Sequence, residues 1–261
     1  MGALERVDRL EALREPIFEW LDEPLSPGAE PAALRARARE DGFLHLRGAF
    51  PPDRVLALRS LILEHARLMG WLDPSAPVEE GRGQPGRKIS DCETPDWLTL
   101  QEKVQTSREL WQLGEDPEIQ SVLAAAFGRS SFLYLGLNTC RVFFPHPDFV
   151  TQPHQDAHWV LTGDFFVTVW VPLGDCPLAL GPLAVLPGSH RRGLLPHHGA
   201  GILDGGCDVD EDAVWRTAGF SIGDALVLLP TTIHRSVANR SGDRLRLSVD
   251  LRYGFRSADE G

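Results

Sequence analysis

His154, Asp156 and His158 occupy alternate positions in the stretch TQPHQDAHWV (151–160) of a 261-residue chain that holds 9 histidines. Imidazoles and a carboxylate at this spacing can ligate a metal ion, act as a general-base cluster, or lie on a surface without chemistry. The secondary structure that carries them decides. On a strand, residues two apart share a face, so His154 and Asp156 project into one volume. His158 would then lie roughly 13 Å from His154 at about 3.3 Å per residue, too far to share a metal with it. It is expected in a supporting place, as a substrate contact or packed under Trp159. On a helix, His154 and His158 at i, i+4 would be the pair instead. Pro153 and the strand-rich surroundings favour the strand, with Gln155 and Ala157 facing away.

A metal at His154 and Asp156 needs a third donor. His234, in LVLLPTTIHRSVANRSGDRLRLSVDLRY (226–253), follows an apolar run and a Pro-Thr-Thr turn. Two imidazoles and one carboxylate suit non-haem Fe(II) and leave positions open for small molecules. The bland readings are that His-x-Asp arises by chance and that His234 is a hydrogen-bonded structural histidine. His146, between two prolines, and the pair His197-His198 compete on similar terms, although adjacent strand histidines point to opposite faces. The strand after His234 shifts the balance. Leu245, Leu247, Val249 and Leu251 form one face; Arg244, Arg246, Ser248 and Asp250 form the other. Arginines facing into a barrel are costly unless they meet an anion, and a guanidinium fork matches a carboxylate. A dicarboxylate cosubstrate is the implied anion; the alternative is an edge strand with solvated arginines.

The elements that must hold these residues divide the chain by texture. EPAALRARARED (30–41), PPDRVLALRSLILEHARLMG (51–70) and DPEIQSVLAAAFG (116–128) read as helices. In the second, Val55, Leu58, Ile62 and Leu68 recur at helical spacing. The third opens on Asp116 as N-cap with Pro117 behind it and closes on Gly128. From about residue 131, short apolar runs separated by turns (SFLYLG, TCRVFF, HQDAHWV, DFFVTVWVPL, PLAVLP, DALVLLP, RLRLSVDLRY) indicate a β-sandwich or barrel. Residues 72–96 form a Pro/Gly-rich loop, and 191–220 form an excursion able to cover a barrel mouth. Both are expected substrate walls. One domain is expected over 1–261, with a helical region to about 130 packed on a β core at about 131–255.

Composition narrows the function. With 26 Lys and Arg against 37 Asp and Glu, the net charge is −11, which leaves no basic footprint for nucleic acid or an anionic membrane. No apolar run is long enough to span a bilayer, and the N-terminus lacks the apolar core of a signal peptide. Cys92, Cys140, Cys176 and Cys207 form no Cys-x-x-Cys pair, so a reduced, cytoplasmic setting is expected and a thiolate zinc site is not.

The ordered segments HQDAHW, VTVWVPLGD, GPLAVLPGSHRRGLLPH, GDALVLLPTTIHRSVANRS and RLRLSVDLRY resemble those of the phytanoyl-CoA dioxygenase family of Fe(II)/2-oxoglutarate-dependent oxygenases. The resemblance runs from about Asp41 to Tyr253. It implies a mainly β fold with flanking helices around a double-stranded β-helix (jelly-roll, cupin-like) core. By position it makes His154, Asp156 and His234 the Fe(II) ligands and Arg246 the residue holding the distal carboxylate of 2-oxoglutarate, with Arg244 as the alternative. Ser236 would share that carboxylate, Trp170 would line the cosubstrate pocket, and Lys103 would be a further cosubstrate contact. The turn PGSH (187–190) is read as structural, with Gly188 at an unusual backbone angle and His190 a turn residue. The implied reaction consumes 2-oxoglutarate and O2, releases succinate and CO2, and oxidises a C–H bond of a small organic substrate, most simply by hydroxylation. Asp156 argues against halogenation, since the related halogenases replace that carboxylate with a small residue. Two rivals stand beside this: a cupin-type ligand-binding module without oxygen chemistry, and a zinc hydrolase using the same three ligands.

Overall fold

The computed structural model of the chain describes residues 17–87, 94–146, 150–199 and 205–256. Two β-sheets face each other in a jelly-roll arrangement. The major sheet runs β2 (Phe43–Leu46), β10 (Ala225–Leu228), β5 (Phe166–Pro172), β12 (Arg246–Phe255) and β3 (Ser131–Leu133), with β4 (Thr139–Phe143) also paired to β12. The minor sheet runs β1 (Ile17–Trp20), β9 (Val214–Thr217), β6 (Leu183–Val185) and β11 (His234–Ser236). A two-stranded ribbon, β7 (His197–His198) with β8 (Gly206–Cys207), stands apart. The helix-flanked jelly roll expected from the sequence is the fold that forms.

The helices pack on the outer face of the major sheet. They are α1 (Pro31–Asp41), α2 (Pro52–Leu68), α3 (Pro95–Gln105), α4 (Arg108–Gly114) and α5 (Pro117–Phe127). Val55, Leu58 and Ile62 of α2 share a buried apolar cluster with Val167, Val169 and Val171 of β5 and Leu247, Val249 and Leu251 of β12. Each such side chain contributes about 1.5–3 kcal/mol on burial. Leu68, expected with them, is 70% exposed because it sits in the last turn, beyond the packed stripe. Helix α5 starts and stops as its sequence dictates: the Asp116 carboxylate accepts from the Glu118 N–H at 2.9 Å, and Gly128 ends it at φ 70°.

Period-two alternation on β5 and β12 sends the other face inward. Trp170 of β5 joins Phe43, Leu183, Val185, Phe220 and Leu226 in a second cluster. Arg246, Ser248, Asp250 and Arg252 form a fully buried polar row on β12. This strand is no edge: β5 pairs with one side of it and β3 and β4 with the other, so the solvated-arginine alternative does not hold.

Two expectations are corrected. The segment HQDAHWV is not a strand. His154 makes a single β-bridge with His234, and Asp156–His158 then closes into a 3-10 turn. The excursion 191–220 is not wholly a cover, since Val214–Thr217 is an internal strand of the minor sheet between β1 and β6. Of the two expected substrate walls, residues 88–93 and 200–204 fall outside the described residues, as does Cys92. Cys140, Cys176 and Cys207 are buried, and Cys176 and Cys207 are free thiols. Among the described residues no helix is long and apolar enough to cross a membrane.

Candidate active site

His154, Asp156 and His234 meet between the two sheets. One ligand-type atom from each lies within 4.8 Å of the others, and all three residues are buried. No other such group of three converges among the described residues. The two histidines, 80 positions apart in sequence, are joined by their own backbone: each N–H donates to the other's carbonyl at 3.0 Å. Their rings lie 4.2 Å apart, centroid to centroid. Each ring is then oriented by a second backbone carbonyl. His154 Nδ1–H donates to Gln152 at 2.7 Å, and His234 Nδ1–H donates to Thr232 at 3.1 Å. That fixes the tautomer and leaves each Nε2 with its lone pair directed at Asp156, whose Oδ1 stands 4.0 Å from His154 Nε2 and 3.8 Å from His234 Nε2.

The charges suit a cation. Burial, then the neighbouring His234, pushes the His154 imidazole down to about 3, so it is neutral at physiological pH. Burial alone would raise the Asp156 carboxyl, but Arg252, the two histidines and the Thr168 hydroxyl outweigh it and hold it well below the usual carboxylate range. Two imidazoles and one carboxylate, all buried and gathered around one volume, fit a divalent non-haem iron.

Arg246 lies in the same interior, on the major-sheet wall. It is 1% exposed, its guanidinium carbon sits 3.9 Å over the Phe143 ring, and Nη1–H donates to Ser248 Oγ at 2.6 Å. Arg244 precedes β12 and is exposed. Ser236, on β11, is fully buried; its Oγ accepts from the Thr151 N–H at 2.7 Å and keeps its own O–H to donate. Trp170 is 1% exposed with its indole edge-on to Phe220, and its Nε1–H has no hydrogen-bond partner among the described residues. Burial pushes the Cys176 thiol, within the field of Arg246, up to about 12.

Lys103 does not join this group. It lies on the exposed flank of α3, whereas Gln101 and Val104 of that helix turn inward. Gln101 Nε2–H donates to the Asn138 carbonyl, and its Oε1 accepts from the Cys140 N–H. The helix thus docks on β4 through its polar residue, with Lys103 left outside. His158 stacks on His197 at 4.2 Å with rings 5° from parallel, and meets Trp159 edge-on. His190 bonds the Arg39 carbonyl from the PGSH turn, where Gly188 has φ 72°. A β-carbon on Gly42 would stand 2.3 Å from His190 Nδ1 and 2.8 Å from Thr232 Oγ1, so only glycine permits this turn to close beside the ligand strand.

Three residues of the site were not anticipated. Arg252 pairs with Asp156 Oδ2 at 3.4 Å, and Thr168 donates its hydroxyl to the same oxygen. The signal was present, because the alternation that placed Arg246, Ser248 and Asp250 inward continues to Arg252. Gln155, expected to face away from the ligands, is buried and bonds the Gly193 and Thr231 carbonyls and the Leu195 N–H at 2.7–2.8 Å. Arg141, on β4, binds Asp250 through Nε at 3.0 Å.

Known proteins are similar to this chain to differing degrees. The model of the phytanoyl-CoA dioxygenase family matches residues 38–247. A 1-deoxypentalenic acid 11-beta-hydroxylase of Streptomyces exfoliatus is 25% identical over 241 residues, covering 85% of this chain and 80% of the relative. Among solved structures, the non-heme alpha ketoglutarate dependent carbocyclase SnoK from nogalamycin biosynthesis superposes with a TM-score of 0.61 at 21% identity, over 92% of each chain. EvdO2 from Micromonospora carbonacea var. aurantiaca, complexed with 2-oxoglutarate, gives 0.60 at 20% identity over 94% of this chain and 96% of its own.

Proposed function

The chain belongs to the phytanoyl-CoA dioxygenase family, and from that premise we propose that His154, Asp156 and His234 hold the Fe(II) of a 2-oxoglutarate-dependent hydroxylase. The observation that carries the reading is the convergence of this triad beside β12, whose inward row carries the buried Arg246 and, through Arg252, reaches Asp156. Iron so held supplies a site where 2-oxoglutarate is decarboxylated to succinate and CO2 at the expense of O2, and a substrate C–H bond is oxidised.

The chain's own residues position and isolate. The Nδ1 atoms of His154 and His234 are committed to backbone carbonyls, which leaves both Nε2 atoms turned toward Asp156 to serve as ligands. Asp156 stays ionised at all physiological pH. Arg246 offers its guanidinium fork to the distal carboxylate of the cosubstrate, and Ser236 adds a hydroxyl donor. The buried setting strengthens that charge-assisted pair relative to water. Trp170 closes the apolar side of the cosubstrate pocket, and the packing around all three excludes water from the oxidant. Lys103 has no part in this. The substrate is a small organic molecule; the hydroxylases of 1-deoxypentalenic acid, similar over most of their length, support a compact natural-product acid or alcohol over a macromolecule.

The cupin-type module and the zinc hydrolase have no use for Arg246 and are not favoured by the family assignment. Anaerobic addition of Fe(II) and then 2-oxoglutarate should produce the weak visible charge-transfer band of the chelate. A metabolite screen for substrate-stimulated succinate release should then identify the substrate. Absence of the band, with no affinity for 2-oxoglutarate, would sink the reading.

A further inference from the structure

The two oxygens of Asp156 have different neighbours. Oδ1 faces the two histidines, at 4.0 Å from His154 Nε2 and 3.8 Å from His234 Nε2. Oδ2 takes the Thr168 hydroxyl hydrogen and lies 3.4 Å from an Arg252 Nη2. Thr168 and Arg252 are direct cross-strand partners, opposite each other on β5 and β12. Two adjacent strands of the major sheet therefore deliver both groups to one oxygen atom. Arg252 is 3% exposed, and its Nε and Nη1 make no hydrogen bond among the described residues. A buried guanidinium is costly without an anion, and this one is set between two: Asp156 on one side and Asp250 Oδ2, 3.7 Å from Nη1, on the other. Asp250 is fixed in turn by Arg141 at 3.0 Å. The row Asp156, Arg252, Asp250, Arg141 alternates in charge and ends on the carboxylate of the triad.

We infer that Thr168 and Arg252 form a clamp that occupies one oxygen of Asp156 and so commits the other alone to the metal. The inference rests on the assignment of the triad as the iron ligands. Its chemical content is coordination number. A carboxylate with both oxygens free can bind a cation through two of them. With Oδ2 engaged, Asp156 gives one bond, and the position a second bond would take is left for cosubstrate or O2. The clamp belongs to the major sheet, whereas both histidines are tied to the minor-sheet side. Arg252 and Thr168 are positioning residues, acting through Asp156. The competing role for Arg252 is a direct contact to an anionic substrate through its Nε and Nη1.

The test uses the full chain and the variants Thr168→Val, Arg252→Met and Arg252→Lys, each checked for an intact fold by its far-UV spectrum and melting curve. Mn(II) affinity is measured by electron paramagnetic resonance without cosubstrate or substrate, and the Fe(II)–2-oxoglutarate band is recorded anaerobically. Loss of a partner that orients a ligand weakens metal binding roughly 10- to 100-fold. That loss is expected in Thr168→Val and Arg252→Met, with a shifted or broadened band. Arg252→Lys should recover part of it by restoring a cation, and the double variant should lose less than the product of the single effects because both groups serve one oxygen. Unchanged Mn(II) affinity and band in folded Thr168→Val and Arg252→Met overturn the inference. So does an Arg252→Met whose only defect is a raised substrate KM. If Arg252→Met does not fold, Thr168→Val, which keeps volume and loses only the hydroxyl, decides alone. A wild-type chain that forms no 2-oxoglutarate band fails the functional reading itself. A wild-type band with unaltered variants fails only the clamp.

Discussion

The two walls of the site hold their residues by different means. On the minor-sheet side, His154 and His234 are set by main chain alone, through their reciprocal N–H to carbonyl bonds and the Gln152 and Thr232 carbonyls that orient their rings. On the major-sheet side, Arg246, Asp250 and Arg252 are set by one another and by Ser248, Arg141 and Asp156, side chain to side chain. Geometry built from backbone survives substitution of its neighbours, whereas geometry built from side chains is retuned by single changes. On the proposed reading, the first wall holds the metal. The second is where cosubstrate affinity and the behaviour of the carboxylate can vary without disturbing the fold.

Substitutions can break that contrast in graded steps. His234→Ala removes one of three donors and should abolish Fe(II)-dependent succinate release, a loss above the roughly 100-fold that removal of a supporting partner costs; its melting curve without metal should stay near wild type because the pairing it leaves behind is main chain. Arg246→Ala should raise the KM for 2-oxoglutarate by about 30-fold or more, from about 2 kcal/mol or more lost with a buried charge partner, while Mn(II) affinity is retained. Loss of both would show that the two walls are not separable. Gln155→Ala leaves two carbonyls and one N–H without their partner and should destabilise the chain by about 2 kcal/mol, read as a fall in Tm. Asp116→Ala, far from either wall, removes an N-cap and the partner of Arg54, 2.7 Å away; about 1 kcal/mol of stability should go with no change in KM. Arg244→Ala, at an exposed position two residues from Arg246, should change 2-oxoglutarate affinity by less than about 0.5 kcal/mol.

What could be read from the sequence follows the same division. The caps of α5 and the inward row of β12 were readable because each depends on local rules, a side chain meeting its own helix end or a period of two along one strand. The triad was readable because its residue types are rare and their order along the chain agrees with a known family. The 3-10 turn at Asp156–His158 was not. Alternation of apolar and polar residues imitates a strand there, and the turn is set by the Ala157 N–H bond to Pro230, a contact no local pattern announces. Strand Val214–Thr217 was hidden for the opposite reason: an acidic, Gly-rich surround masks four residues whose strand character comes from pairing with β1 and β6. Lys103 was misplaced because a basic residue near the family's position says nothing about which side of α3 turns inward, and there Gln101 takes the inner place.

The reciprocal bond between His154 and His234 also dates the site in the life of the chain. The segment between them contains β5, β6, β9 and β10, and closing so long a loop costs entropy that only completed sheets repay. As the chain emerges from the ribosome, His154 and Asp156 are made well before their partner, and nothing local holds them in register for it. His154, Asp156 and His234 are therefore expected to meet late in folding, after strands from both sheets have paired. The metal-free chain is therefore expected to fold, with a far-UV spectrum and melting curve close to those of the Fe(II)-loaded chain.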